Sequence, residues 1–171
     1  MQKLVKICGI KSASNFEALK NIDVDMVGLN FYEPSVRYID TDFKLSLLNR
    51  IPAGVKRVGV FVDASFENIM EQAIKFDLNC IQLHGNEKPQ FVLDLCNEGL
   101  HIIKAFQLST EFSWSDLDSF VNCKYYLFDN KTKNYGGSGK KFNWNLLNDY
   151  TGSIPFLLSG GIGPNDLTKI S

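Results

Sequence analysis

Leu4-Val5-Lys6-Ile7-Cys8-Gly9-Ile10-Lys11 decides the fold class. Leu4–Ile7 reads as a short strand, and the strand ends on a thiol and one glycine. A dinucleotide-binding sheet would carry G-x-G-x-x-G here, so that the backbone could approach a pyrophosphate. That fingerprint is missing. A second strand-like run, Tyr125-Tyr126-Leu127-Phe128, also stops abruptly, this time in Asp129, with Gly136-Gly137-Ser138-Gly139-Lys140 soon after. An acid and a thiol at the ends of two strands suggest proton-transfer chemistry.

Between these runs the chain alternates. The strand candidates are Leu4–Ile7, Met26–Phe31, Arg57–Val62, Cys80–Leu83, Ile102–Phe106, Tyr125–Phe128 and Phe156–Leu158. Their near-continuous apolar content predicts strands covered on both faces, as in parallel sheets. Helices are predicted over Ser14–Asn21, Asp42–Arg50, Ser65–Phe76, Lys88–Asn97, Trp114–Phe120, Trp144–Tyr150 and Pro164–Ile170. Phe66, Ile69, Met70, Ala73 and Ile74 follow helical spacing and predict one buried face. Seven βα units in regular order imply an α/β fold with right-handed crossovers.

An open doubly wound sheet and a closed (β/α)₈ TIM barrel both fit that alternation. Polar and glycine residues follow nearly every strand: Cys8, Asn30, Asp63, His84-Gly85, Gln107, Asp129 and Ser159-Gly160-Gly161. A rim built from almost all βα loops favours the barrel, whose sites gather at the C-terminal ends of the strands. The 171 residues are expected to form one barrel domain, 1–171, lacking its C-terminal eighth βα unit.

Bulk properties exclude other classes. Eighteen basic against nineteen acidic side chains give no electrostatic reason to expect nucleic acid or a membrane surface. No apolar run approaches the ~20 residues that span a bilayer. Lys3, Lys6 and Lys11 interrupt any signal-peptide core, so a cytoplasmic protein is expected. Cys8, Cys80, Cys96 and Cys123 form no CxxC pair and have no histidine at zinc-ligand spacing. Cys80, Cys96 and Cys123 are expected to be small buried hydrophobes.

The motifs, taken in order, resemble the phosphoribosylanthranilate isomerase family of tryptophan biosynthesis. They are Lys6-Ile7-Cys8-Gly9-Ile10, Val27-Gly28-Leu29-Asn30-Phe31, Pro34-Ser35-Val36-Arg37-Tyr38-Ile39, Val58-Gly59-Val60-Phe61-Val62 and Ile81-Gln82-Leu83-His84-Gly85. Phe128-Asp129, the run Gly136–Trp144 and Leu158-Ser159-Gly160-Gly161-Ile162 complete the set. One departure is Asn143, where the family has aspartate; asparagine still caps a helix. The resemblance implies a (β/α)₈ barrel and an Amadori rearrangement of N-(5′-phosphoribosyl)anthranilate to 1-(o-carboxyphenylamino)-1-deoxyribulose 5-phosphate. It assigns Asp129 as general acid, Cys8 as general base and Arg37 as the partner of the anthranilate carboxylate.

The chemistry fits those residue types. Ring opening needs an acid, and loss of the C2′ proton needs a base, each contributing roughly 10²–10⁴-fold. No metal or redox cofactor is required. Arginine pairs with carboxylates in a planar fork. Of Arg37, Arg50 and Arg57, only Arg37 sits in a loop just past a strand. Gly160 and Gly161 are expected to contact the phosphate, since barrel phosphate sites lie near strands seven and eight. Gly136 and Gly137 are expected to hinge a lid over the sugar. His84 has two readings, a pocket wall or a structural hydrogen bond across the barrel. Gln82 is expected to point inward. The expected partner is a small phosphosugar–anthranilate substrate, with a monomeric or homodimeric enzyme. Two alternatives remain at this level: another phosphosugar isomerase or epimerase, or a non-catalytic phospho-ligand-binding barrel. Two histidines are too few for the metal site of a pentose-phosphate epimerase.

Overall fold

The computed structural model describes residues 3–130 and 143–166. Seven strands form one sheet: β1 Lys6–Cys8, β2 Met26–Asn30, β3 Lys56–Phe61, β4 Cys80–Leu83, β5 His101–Leu108, β6 Tyr125–Asn130 and β7 Phe156–Leu158. Every neighbouring pair is parallel, and spatial order equals chain order. All seven predicted strands are present, with ends shifted by a residue or two.

The sheet has two apolar faces. Val27, Leu29, Phe61, Ile81, Leu83, Ile102, Tyr126 and Phe128 belong to a large core shared with the connecting segments. Alternate residues point the other way. Met26, Val58, Cys80, Ile103, Ala105 and Leu127 form a smaller core on the face turned from the helices. Both faces are therefore dry, which accounts for apolar runs without polar alternation.

The crossovers differ more from expectation. Helix α2, Phe66–Phe76, has Ser65 accepting the Asn68 N–H at 3.2 Å and ends at left-handed Asp77. It buries Ile69, Ala73 and Phe76, but Ile74 is 79% exposed. Phe66 and Met70 pack against the same core, so of the predicted face only Ile74 turns to solvent, with Phe76 taking part instead. Helix α1, Ala13–Ala18, starts on a capping box formed by Ser12 and Asn15. Helix α3, Pro89–Asn97, begins with proline in its first turn.

The predicted helices after β2, β5 and β6 are instead 3₁₀ segments, 45–50, 114–120 and 144–149. Rings rather than long helical stripes hold the last two. Trp114 lies 5.6 Å from Phe128, centroid to centroid, and Tyr150 lies 5.5 Å from Phe128. Asn143 accepts the Asn145 N–H at 3.1 Å, so it caps its segment as expected. After β7 the described part of the predicted helix is a single 3₁₀ turn, Pro164–Asp166. Among the described residues, no helix is long and apolar enough to cross a membrane.

Candidate active site

Parallel pairing turns each inward-facing strand end toward one rim. Cys8 ends β1, directly across from Gly28 of β2. A Cβ on Gly28 would stand 2.8 Å from Cys8 Sγ and 3.0 Å from Lys6 Nζ. Glycine thus makes the room in which thiol and ammonium lie. Gly9 follows with φ +87°, a conformation that disfavours side chains. The aliphatic stem of Arg37 passes over its bare Cα. Arg37, exposed in the loop after β2, is in this way delivered beside Cys8. Lys11 Nζ donates to the Val36 carbonyl at 2.7 Å and ties that loop to the end of β1.

The other side of the rim is buried. Asp129 is 7% exposed and sits across from Gln107 of β5. Its Oδ1 accepts the Asn130 N–H at 2.8 Å. Its Oδ2 faces His84 Nε2 at 3.5 Å. Gln82, inward as expected, brings its amide nitrogen to 2.8 Å from His84 Nδ1. With that amide donating, the ring proton sits on Nε2, the side of Asp129. His84 Nε2 and Gln82 Oε1 are buried with no hydrogen-bond partner among the described residues. Gly160, φ +89°, comes so close to the acid that a Cβ would lie 2.7 Å from Oδ1. Gly161 follows at φ +67°.

The predicted residues therefore fall into two groups, Cys8 with Arg37 and Asp129 with His84, Gly160 and Gly161. Gly136 and Gly137 lie outside the described residues. Arg57 serves the framework, donating to Asp77 at 3.0 Å and to the Phe76 carbonyl at 3.4 Å. Arg50 pairs with Glu17 at 3.3 Å on the surface. Cys80 and Cys123 are buried as expected, whereas Cys96 is only partly so. Burial pushes the Cys80 thiol up to about 11 and the Cys123 thiol up to about 12. No cluster of metal-ligating side chains occurs among the described residues.

Comparison with known proteins decides the kinship. The family model described as N-(5′-phosphoribosyl)anthranilate isomerase matches residues 5–171. The chain belongs to this family. It is 39% identical over 168 residues to the N-(5′-phosphoribosyl)anthranilate isomerase of Phocaeicola vulgatus, covering 98% of this chain and 80% of that relative. The fold is similar to the phosphoribosylanthranilate isomerase of Thermus thermophilus, with TM-score 0.86 and 25% identity, over 98% of this chain and 82% of that one. A third likeness is to a phosphoribosylanthranilate isomerase solved with reduced 1-(o-carboxyphenylamino)-1-deoxyribulose 5-phosphate. There the TM-score is 0.79 at 30% identity, over 98% of this chain and 80% of the other.

Two site features were not read from the sequence. Gly28 makes space for the thiol, and its signal was a glycine inside an apolar strand. The second is a buried ion pair, Glu87 with Lys104, beneath the loop that carries His84.

Proposed function

We propose that this chain carries out the family's isomerisation with Asp129 as acid and Cys8 as base, in tryptophan biosynthesis. The seven βα units are read as seven of the eight in a (β/α)₈ barrel, a single domain acting in the cytosol on a small phosphorylated substrate. Asp129 gives its proton to the furanose ring oxygen, and the C1′–O bond breaks. The anilino nitrogen's lone pair forms the C1′=N iminium. The Cys8 thiolate then takes the C2′ proton. Its electron pair makes a C1′=C2′ double bond and returns the lone pair to nitrogen. Tautomerisation of the resulting enolamine gives the ketose. No electron leaves the substrate, so no redox partner is needed.

The observation that carries this reading is the wall around the acid. Asp129 is buried at a strand end with His84 Nε2 facing it at 3.5 Å, and Gln82 beside them holds a buried oxygen without a hydrogen-bond partner among the described residues. Arg37, standing over Gly9 next to the thiol, suits the benzoate carboxylate. Gly160 and Gly161, with positive φ after β7, suit a phosphate approached by backbone N–H groups. Gly136 and Gly137 remain proposed lid hinges.

The test is turnover followed through anthranilate fluorescence. Cys8→Ser and Asp129→Asn should each lower kcat by at least ~10²-fold, the usual worth of a general acid or base. A variant that keeps more than about a tenth of wild-type kcat would remove its residue from the mechanism.

A further inference from the structure

The most heavily invested charges in the described structure lie outside the reaction proposed above. Lys104 is in the middle of β5, across from Leu83 and Tyr126. Both of those residues belong to the apolar layer between sheet and helices. The ammonium therefore starts from a layer where an unpaired charge would be costly, and its side chain is only 4% exposed. All three of its protons are used. Nζ donates to the Gly85 carbonyl at 2.8 Å, to Glu87 Oε2 at 3.0 Å and to the Ala105 carbonyl at 3.2 Å.

Glu87 is as fully occupied. Its Oε1 accepts the N–H of Asp63 at 3.1 Å and of Gly85 at 3.0 Å. Asp63 adds a tie of its own, its Oδ1 accepting the Asn86 N–H. Gly85 fits only because it has no side chain, since a Cβ would run into the Asp63 carboxylate. The loops after β3 and β4 and the middle of β5 are thus joined by one charge pair. His84 is the residue immediately before this knot.

A buried ion pair contributes little net stability compared with apolar side chains of the same size. Its geometric effect is larger, because three of these bonds end on the backbone of Gly85 and Asn86 and three more hold the side chains that make them. We propose that Glu87 and Lys104 are positioning residues for the isomerisation. They fix the loop after β4 so that His84 Nε2 stays directed at Asp129 Oδ2. The proposal rests on the acid role given to Asp129, but the contact between the two side chains can be read without turnover.

The experiment uses the whole chain and the double variant Lys104→Met/Glu87→Gln. Glutamine keeps an oxygen for the Asp63 and Gly85 N–H groups while both charges are removed. The melting temperature should stay within about 4 °C of wild type, as expected for removing both members of a pair. Turnover should fall ~10- to 100-fold with KM little changed, the cost of a misplaced catalytic group. A second readout is the imidazole NMR spectrum, which is simple because the chain has two histidines. In wild type, Asp129→Asn should shift the His84 ring signals. In the double variant that response should shrink or vanish. If the double variant does not fold, Lys104→Arg, which keeps the charge but not the compact ammonium that reaches all three acceptors, carries the same readout. A variant as responsive as wild type overturns the proposal, and so does a wild-type His84 indifferent to Asp129→Asn. An inactive wild type with the NMR coupling intact would instead refute the isomerase reading and leave only the fixing of His84 against Asp129 standing.

Discussion

The two sides of the rim are built by opposite means. Around Asp129 and His84, position comes from bonds, with Gln82 on the imidazole and the Glu87–Lys104 knot beneath the loop. Around Cys8 and Arg37, position comes from missing atoms. Gly28 leaves room for the thiol, and Gly9 leaves a path for the arginine stem. Bonds suit a carboxyl group that must keep one orientation toward a ring oxygen. Open space suits a thiol that must meet a carbon and an arginine that must meet a solvent-borne carboxylate. A bonded wall fails when a partner is removed, and a wall made of space fails when it is filled.

Gly160 tests the contrast hardest, because it is an empty space on the bonded side. Gly160→Ala forces a side chain into φ +89° and against Asp129 Oδ1. Strain of this kind costs about 1–3 kcal/mol. Displacing the acid should cost ~100-fold in kcat as well. Chemical denaturation and steady-state rates measure the two losses separately. Near-normal kcat would mean that the acid does not depend on this contact.

Gly28→Ala probes the thiol side. The added methyl meets Cys8 Sγ and the flexible end of Lys6. A fall of about tenfold in kcat is expected, since a small misplacement of a reacting group is costly. Overpacking should cost about 1–3 kcal/mol. Equal losses for Gly28→Ala and Gly160→Ala would erase the distinction between the two walls.

Arg37→Ala should act on binding. Loss of a charged hydrogen-bonded fork, worth about 1.5–3 kcal/mol, corresponds to roughly a 10- to 100-fold rise in KM with kcat nearly kept. Arg50→Ala is the control, because its pair with Glu17 is on the surface and worth about 0–1 kcal/mol. If the two substitutions changed KM alike, Arg37 would lose its assignment.

The smallest effect concerns buried thiols away from the rim. Burial raises Cys80 from 9.0 to about 11 and Cys123 from 9.0 to about 12. Folding therefore favours the protonated thiols. Their contribution is complete below pH 9, where the unfolded thiols are also protonated, and is lost as pH rises through 11 and 12. Melting temperature should decline across that interval. At pH 8, mass-mapped alkylation should label Cys8 and Cys96 and spare Cys80 and Cys123. Early labelling of Cys80 would mean that the smaller core is open.

The strands were legible because parallel strands buried on both faces read as near-continuous apolar runs, Tyr125–Phe128 being the clearest. The crossovers were less legible. Apolar residues in 114–120 and 144–149 suit a 3₁₀ turn as well as an α-helix, and ring packing holds both segments. Cys8, Arg37 and Asp129 stood out through the family motifs that carry them, two at strand ends and one in a loop, and their roles stay part of the proposal. Lys104 could not. Within Ile102-Ile103-Lys104-Ala105-Phe106 a lysine reads as an interruption, and its partner Glu87 lies in another loop. Only the register across β4 and β5 reveals where its side chain begins.

The order of the strands also bears on how the chain comes to be folded. Each strand's partner is the one made just before it, from Lys6 with Met26 to Tyr126 with Phe156. Every pairing closes one modest loop, and closure entropy rises only slowly with loop length. A chain leaving the ribosome can add each strand to a template already in place, without waiting for a distant segment. The sheet can therefore grow in the direction of translation, with the thiol-bearing strand laid down first and the acid-bearing strand sixth.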